Sequence, residues 1–418
     1  MVVGAGPAGA AAALEARRLR PEASVLLVDK AAFPRDKACG DGIGPHAVDE
    51  LAALGASGVL DGYPPIRGLR LRSPRGMEVA GDPARPNYVV PRAVLDARLV
   101  EAARAAGAEL QRSSVRRLEQ RDGLVVVDGE LTARVVVGAD GANSTVRRLL
   151  GGPPNPDRAL AIAVRGYAPA PPGRPEQLIA WVTDGWPAYV WSFPTGTGVA
   201  NVGYGLLRSR FHGDRAELHR RLHHLLPEAD PDPASLRAHH LPFSSFRPPP
   251  GRGRVLLAGD AASLVNPLSG EGIYYALASG RLAARAALTA PGEPAAVYRR
   301  LLARALGRHL PGAVRHPGRA RPRPGQDHPP PAGRPPGRPA AGPGGYQRNR
   351  MRACRAKALA QFSWALNRRT WLPGARLAAL TPRQRNQITP ISRNRNSQRG
   401  RSIGSRMPSR AMPQSTNP

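Results

Sequence analysis

Cysteine is nearly missing from this chain: only Cys39 and Cys354 occur in 418 residues. Two thiols cannot build a disulfide framework, and they fit a reducing compartment. No apolar run approaches the roughly 20 residues that a membrane-crossing helix needs. A signal peptide is not expected either, because the first apolar residues break straight into a glycine turn. The expected location is therefore cytoplasmic. Only Met1-Val2-Val3 precede that turn, so a few residues are expected to be missing upstream.

Acidic residues are scarce in one region. Residues 311–418 carry 22 Lys or Arg against a single acid, Asp327, which accounts for +21 of the formal +31. Near Pro311 the texture changes to Arg, Pro and Gly without helical or strand periodicity, the composition of a disordered basic tail. Lys357 to Leu380 alone has the composition for a short helical patch. Two explanations stand: a basic arm for nucleic acid or an anionic membrane, or out-of-frame translation of a GC-rich gene. The abrupt change and the absence of Glu after Glu293 favour the second. Concentration of the charge in this tail makes a nucleic-acid partner the weaker expectation.

The start of the chain is informative. Gly4-Ala5-Gly6-Pro7-Ala8-Gly9 follows a short apolar strand and opens a helical pattern, and Asp29 closes the next strand, Val25–Val28. This is the nucleotide half of a Rossmann unit. Gly4 permits the tight turn, Gly6 lets backbone approach a pyrophosphate, and Gly9 lets the helix pack closely. The helix N-terminus that opens at Pro7 and Ala8 offers the unpaired N–H groups of its first turn to phosphates, Pro7 itself having none. Asp29 stands where a carboxylate accepts bonds from ribose hydroxyls. No second GxGxxG unit follows, so no dedicated NAD(P)H domain is expected.

Periodicity predicts helices over 45–54, 92–106, 215–226, 270–288 and 295–310, with 66–90 as a β-excursion. Val94, Leu95, Leu99 and Ala102 are the expected buried stripe of the second helix. Short strands are expected at 160–165, 178–182, 189–193 and 199–204. Tyr189, Trp191 and Phe193 fall on one strand face at period two. They suit an apolar slot or a sheet core. His219, His223 and His224 share helical spacing without a ligand pattern, and no metal site is expected.

Four further stretches carry a resemblance: Asp29-Lys30 through Cys39-Gly40-Asp41-Gly42, Val137-Gly138-Ala139-Asp140-Gly141, Gly259-Asp260-Ala261-Ala262 with Pro267 and Gly270-Glu271-Gly272-Ile273, and Tyr189 to Gly205. In this order they resemble the group-A flavoprotein hydroxylase superfamily, most closely its geranylgeranyl reductase branch, over about residues 1–310. The resemblance implies an α/β fold. A Rossmann-type FAD-binding domain is assembled from separated segments, 1–165 and 250–310, with an inserted, mostly antiparallel α+β substrate domain at 166–249. It implies FAD as cofactor, with Lys30 and Gly40 beside it, Arg92 near its pyrophosphate or ribityl chain, and Asp260 on the ribityl hydroxyls. Gly259, Pro267, Gly270, Gly272 and Ile273 border the ring. Asp140 either touches FAD or makes a structural turn. Cys39 either supplies a proton near the flavin or packs against it.

The implied reaction saturates double bonds of a geranylgeranyl or other isoprenoid group, with hydride from reduced FAD and a proton on the other carbon. NAD(P)H or another transient donor would supply the electrons. The implied partner is an isoprenoid-bearing small molecule or lipid, reached through peripheral membrane contact where the substrate is membrane-borne. An FAD-dependent monooxygenase or halogenase shares the scaffold. The absence of lysine between Lys37 and Lys357 weighs against the halogenase, which commonly uses a second-domain lysine.

Overall fold

A computed structural model describes residues 1–183, 185 and 188–307. The expectations for the tail, 311–418, and for the end of the helix predicted to 310 lie outside the described residues.

Five parallel strands form the first sheet, in the order Val255–Leu257, Val136–Gly138, Val2–Val3, Leu26–Asp29 and Glu109–Arg112, with Gly251–Arg252 added antiparallel at one edge. The first four are mostly apolar, as burial on both faces requires, whereas Glu109–Arg112 is a polar, largely exposed edge strand. Helices Pro7–Leu19 and Ile273–Thr289 pack against each other, and Gly280 meets the backbone of Ala8 so closely that a Cβ would collide. Alanines at 10–13 keep this contact tight. Charged side chains brace the assembly: Arg281 pairs bidentately with Glu50, and Arg285 bonds Glu15.

The second sheet has seven strands, in the order Arg237–Pro242, Leu160–Pro169, Val199–Leu207, Ala188–Pro194, Glu176–Val182, Gly68–Arg72 and Glu78–Gly81. All pairs are antiparallel except Glu176–Val182 with Gly68–Arg72. Two of its strands thus come from the β-excursion, far upstream of the others. Leu160–Pro169 also runs through the expected boundary at 165 as one continuous strand. Helix Arg215–Leu225 covers this sheet with Leu218 and Leu222, while His223 and His224 are exposed and His219 is half-buried.

Helix Arg92–Ala105 buries Leu95, Leu99, Val100 and Ala103. Val94 and Ala102, expected in that stripe, are only partly buried. The buried face is rotated because Arg92 and Asp96 are themselves drawn inward, at 4% and 0% exposure.

Candidate active site

One cavity of about 1130 Å³ lies between the two sheets. Every residue expected at the cofactor or substrate site lines it, apart from Gly9 and Gly259. Those two sit just behind the wall: Gly9 presses against the Gly4 carbonyl, and Gly259 is wedged beside Ala8 and Ala276.

The helices that open at Gly6 and at Gly272 are among those that begin at this cavity with no side-chain cap. Their first N–H groups therefore lack intrahelical partners, and their positive dipole ends favour negative charge. The Gly6 end could hold a pyrophosphate. Arg35 and Arg92 flank it, each with a guanidinium nitrogen within 4 Å of where a Gly6 Cβ would lie. Arg92 is fixed by a fork to Asp96 at 2.7 and 2.8 Å. Arg35 reaches the same carboxylate at 3.2 Å.

Asp29 holds the glycine turn as well as facing the cavity. Its two oxygens accept the Ala5 and Ala31 N–H groups at 2.7 and 2.8 Å, which leaves further lone pairs for hydroxyls. Asp140 caps the helix Thr145–Leu149, accepting from Ser144 Oγ and from the Thr145 and Val146 N–H groups. These bonds fix the start of that helix, and Asp140 also lines the cavity.

Asp260 pairs with Lys37, Oδ2 to Nζ, at 3.1 Å. Burial works to raise this carboxyl, but Lys37 and His239 hold it below its ordinary value. His239, on strand Arg237–Pro242, is pushed down to about 4 by burial and Lys37, so it is neutral at pH 7. Its Nε2 is buried without a hydrogen-bond partner. The Lys37–Asp260–His239 cluster escaped the sequence reading because 223 residues separate Lys37 from Asp260.

The segment 36–41 is clamped onto the second sheet. Arg165, 1% exposed, pairs with Asp36 and donates to the Lys37 carbonyl. Asn201 Nδ2 donates to the Cys39 carbonyl at 2.8 Å and to Asp41 Oδ2 at 2.7 Å. Tyr167 Oη donates to the same Asp41 oxygen at 2.6 Å. Asp41 is fully buried, its Oδ1 has no partner, and burial pushes its carboxyl up to about 6 despite these bonds. This buried network was not read from sequence, and its only local signal is an Asp inside a glycine-rich turn.

Cys39 lies beside Arg92. Burial raises its thiol pKa while Arg92 opposes the shift, and the net direction is upward. The thiol therefore keeps its proton at neutral pH. Facing it, Tyr189, Trp191 and Phe193 form a row of tilted rings with centroids 5.8 and 6.4 Å apart. Phe193 stands against Gly40, and Trp191 Nε1 donates to Asn201 Oδ1 at 2.8 Å. Trp191 lies over Gly203 of the next strand, where any Cβ would collide with the indole. Tyr189 packs on Gly270 (φ +70°) and donates to the Ser269 carbonyl at 3.2 Å. The row thus joins the flavin-type motif at one end to the Cys39–Gly42 loop at the other.

The sequence profile of the FAD binding domain family matches residues 1–285. The chain is 38% identical over 313 residues to a menaquinone reductase of Mycobacterium tuberculosis, covering 68% of this chain and 75% of that protein. It is 34% identical over 321 residues to digeranylgeranylglycerophospholipid reductase 2 of Methanopyrus kandleri, covering 70% and 77%. Among solved structures, a geranylgeranyl bacteriochlorophyll reductase-like protein of Thermoplasma acidophilum superposes with a TM-score of 0.64 at 22% identity. That match covers 74% of this chain and 83% of the other. A flavin-dependent brominase reaches 0.60 at 20% identity, over 72% and 82%. At such identities the last two establish the fold.

Proposed function

This chain belongs to the FAD binding domain family, a flavin-dependent oxidoreductase with FAD as its cofactor, and on that premise we propose that it saturates double bonds in an isoprenoid chain. The observation that carries the proposal is the aromatic row Tyr189–Trp191–Phe193 set against the Cys39–Gly40 turn inside the cavity. An apolar slot there suits a flexible hydrocarbon and excludes water from it. The curated relatives named as reductases of menaquinone and of a digeranylgeranyl phospholipid support the same reading.

Reduced FAD, when bound, supplies hydride. The residues divide the remaining tasks. Gly4, Gly6, Pro7 and Ala8 present backbone to the pyrophosphate, with Arg35 and Arg92 as cations beside it. Asp29 takes the ribose hydroxyls, with Lys30 next to it. Asp260, paired with Lys37 through Oδ2, would hold a ribityl hydroxyl. Gly272 and Ile273, with Pro267 and Gly270 beside them, would border the ring, and the uncapped helix start would favour negative charge there. Cys39, protonated and facing the slot, delivers the proton to the second carbon. Electrons come from NAD(P)H or another transient donor. Among the described residues no helix is long and apolar enough to cross a membrane, so a membrane-borne substrate would be met by peripheral contact.

The test is anaerobic turnover of a geranylgeranyl substrate by dithionite-reduced protein. Mass spectrometry should find products heavier by one hydrogen pair for each saturated bond. Strict oxygen dependence with incorporation of an oxygen atom would overturn the reading in favour of a monooxygenase.

A further inference from the structure

The sheet face that carries the aromatic row continues outward past the cavity. Trp191 stands opposite Ile179, Ile179 beside Leu71, and Leu71 opposite Val79. Cross-strand partners share a face, so these four apolar side chains form one rank. It runs from the middle of the sheet to its outermost strand, Glu78–Gly81. Exposure rises along the rank: Trp191 is buried, Ile179 and Leu71 are half-buried, and Val79 is 46% exposed. Met77, in the turn just before that strand, is 48% exposed. The inner end of the same face belongs to the cavity, which Trp191, Ile179, Trp181 and Leu69 all line.

The other face of this hairpin is charged. Arg70 donates to Glu176 and Glu78, and Arg72 donates to Glu78. The ribbon is thus amphipathic, with its apolar side leading into the slot. Single exposed apolar residues are ordinary on a protein surface. An apolar path from such residues into a cavity is different, because it gives a hydrocarbon a route that avoids water. The charge around the path has a sign. Arg85 and Arg174 are matched by Asp49 and Asp82. Arg67, Arg70, Arg72 and Arg75 then stand against Glu78 and Glu176, an excess of two positive charges. A second copy docked here by two-fold symmetry would set like charge against like. Anionic lipid headgroups complement it.

We propose that the hairpin 68–81 docks the protein on a lipid bilayer with anionic headgroups. Met77 and Val79 enter the acyl boundary, and the apolar rank behind them leads the substrate's chain into the cavity. The proposal rests on the isoprenoid reading above for its reason to approach a membrane, and it assigns the surface that does so. Affinity in such contacts comes from buried apolar area together with attraction to anionic lipid.

The experiment uses the full chain loaded with FAD and vesicles of phosphatidylcholine mixed with phosphatidylglycerol. Residues 311–418 carry 22 Lys or Arg against one acid, a charge that would itself attract these vesicles. Co-sedimentation is therefore measured at about 0.5 M salt, where that attraction is screened. Combining Met77→Asp with Val79→Asp should weaken partitioning by about tenfold or more. Hydrogen exchange locates the contact: amides of residues 73–81 should slow when vesicles are added. Retained flavin shows that the variant is folded. If flavin is lost, Met77→Ser with Val79→Ser removes the apolar contact without adding charge, and the same weakening is expected. Unchanged partitioning of a folded variant, or slowing confined to residues outside the hairpin, overturns the docking surface. A light-scattering mass that halves in the variant also overturns it, by giving the face to a second copy. Neither measurement needs turnover, so the two readings fail separately. Docking without saturation of a vesicle-embedded geranylgeranyl lipid overturns the isoprenoid reading alone, and saturation without contact at the hairpin overturns this surface alone.

Discussion

Asn201 donates to the backbone carbonyl of Cys39 at 2.8 Å across 162 residues of sequence. One amide thereby ties the reactive-site loop to the middle of the second sheet, while its oxygen takes the Trp191 indole N–H. Replacing it strands several groups at once. Asn201→Ala should cost about 2–4 kcal/mol, from a buried indole N–H and the Asp41 carboxyl left short of partners. Chemical unfolding measures the loss. A change within experimental scatter would mean that the loop is held by other contacts.

Asp260→Ala should weaken FAD retention by roughly 1.5–3 kcal/mol, the range for a hydrogen bond to a charged group. Titration of apoprotein with FAD, followed by flavin fluorescence, gives the dissociation constant. Lys37→Met should act in the opposite direction or not at all, because it frees Asp260 for a hydroxyl. Equal weakening by both substitutions would place Lys37 on the cofactor instead.

Asp41 makes a pH prediction. Its folded pKa, about 6, lies above the ordinary carboxylate value because burial disfavours the charge. The protonated form is thus the one the fold prefers. Its contribution to stability is fully present below about pH 4 and is lost as pH rises through about 6. In Asp41→Asn that loss disappears, so the variant should gain on the parent by on the order of 2 kcal/mol between pH 4 and 7. Urea unfolding at several pH values tests this, and parallel curves for the two proteins would rule it out.

Gly270 adopts φ +70°, and a Cβ there would strike the Tyr189 hydroxyl. Gly270→Ala should cost about 1–3 kcal/mol through backbone strain, with an added clash. Tyr189→Phe removes the clashing oxygen, so the double variant should recover part of that cost. A double-mutant cycle on thermal unfolding measures the coupling. Strict additivity would show that the ring moves aside freely.

For Cys39, replacement by Ser should lower kcat more than it changes flavin affinity, while Cys39→Ala should lower it further, because no proton remains to be delivered. Stopped-flow reoxidation of reduced protein by substrate separates the two effects. Equal loss of flavin and turnover would make the thiol a packing residue.

The cofactor half was legible because its chemistry is written in short stretches. A glycine turn, its helix and an acid at the next strand end lie within 26 residues, from Gly4 to Asp29, and local order suffices to read them. The aromatic row was legible for a similar reason, since period two fixes its face. What escaped are pairs formed by folding alone: Lys37 with Asp260, Asp41 with Tyr167, Arg165 with Asp36. Each joins a loop at 36–41 to a residue more than 120 positions away, and no spacing rule links them. The buried stripe of helix Arg92–Ala105 was displaced for a related reason. A salt bridge drew Arg92 and Asp96 inward, where hydropathy would have put them in water.

Strand Gly68–Arg72 lies parallel to Glu176–Val182 in the second sheet, although it is made before most of the first sheet's strands. The two lobes are therefore stitched rather than strung together. A segment cut at 166–249 would leave that sheet with an unpaired edge along Glu176–Val182, an open invitation to pair with another copy. Transplanting this lobe between related proteins would require carrying residues 66–90 along with it, so the unit that recombines intact is the whole two-lobed chamber.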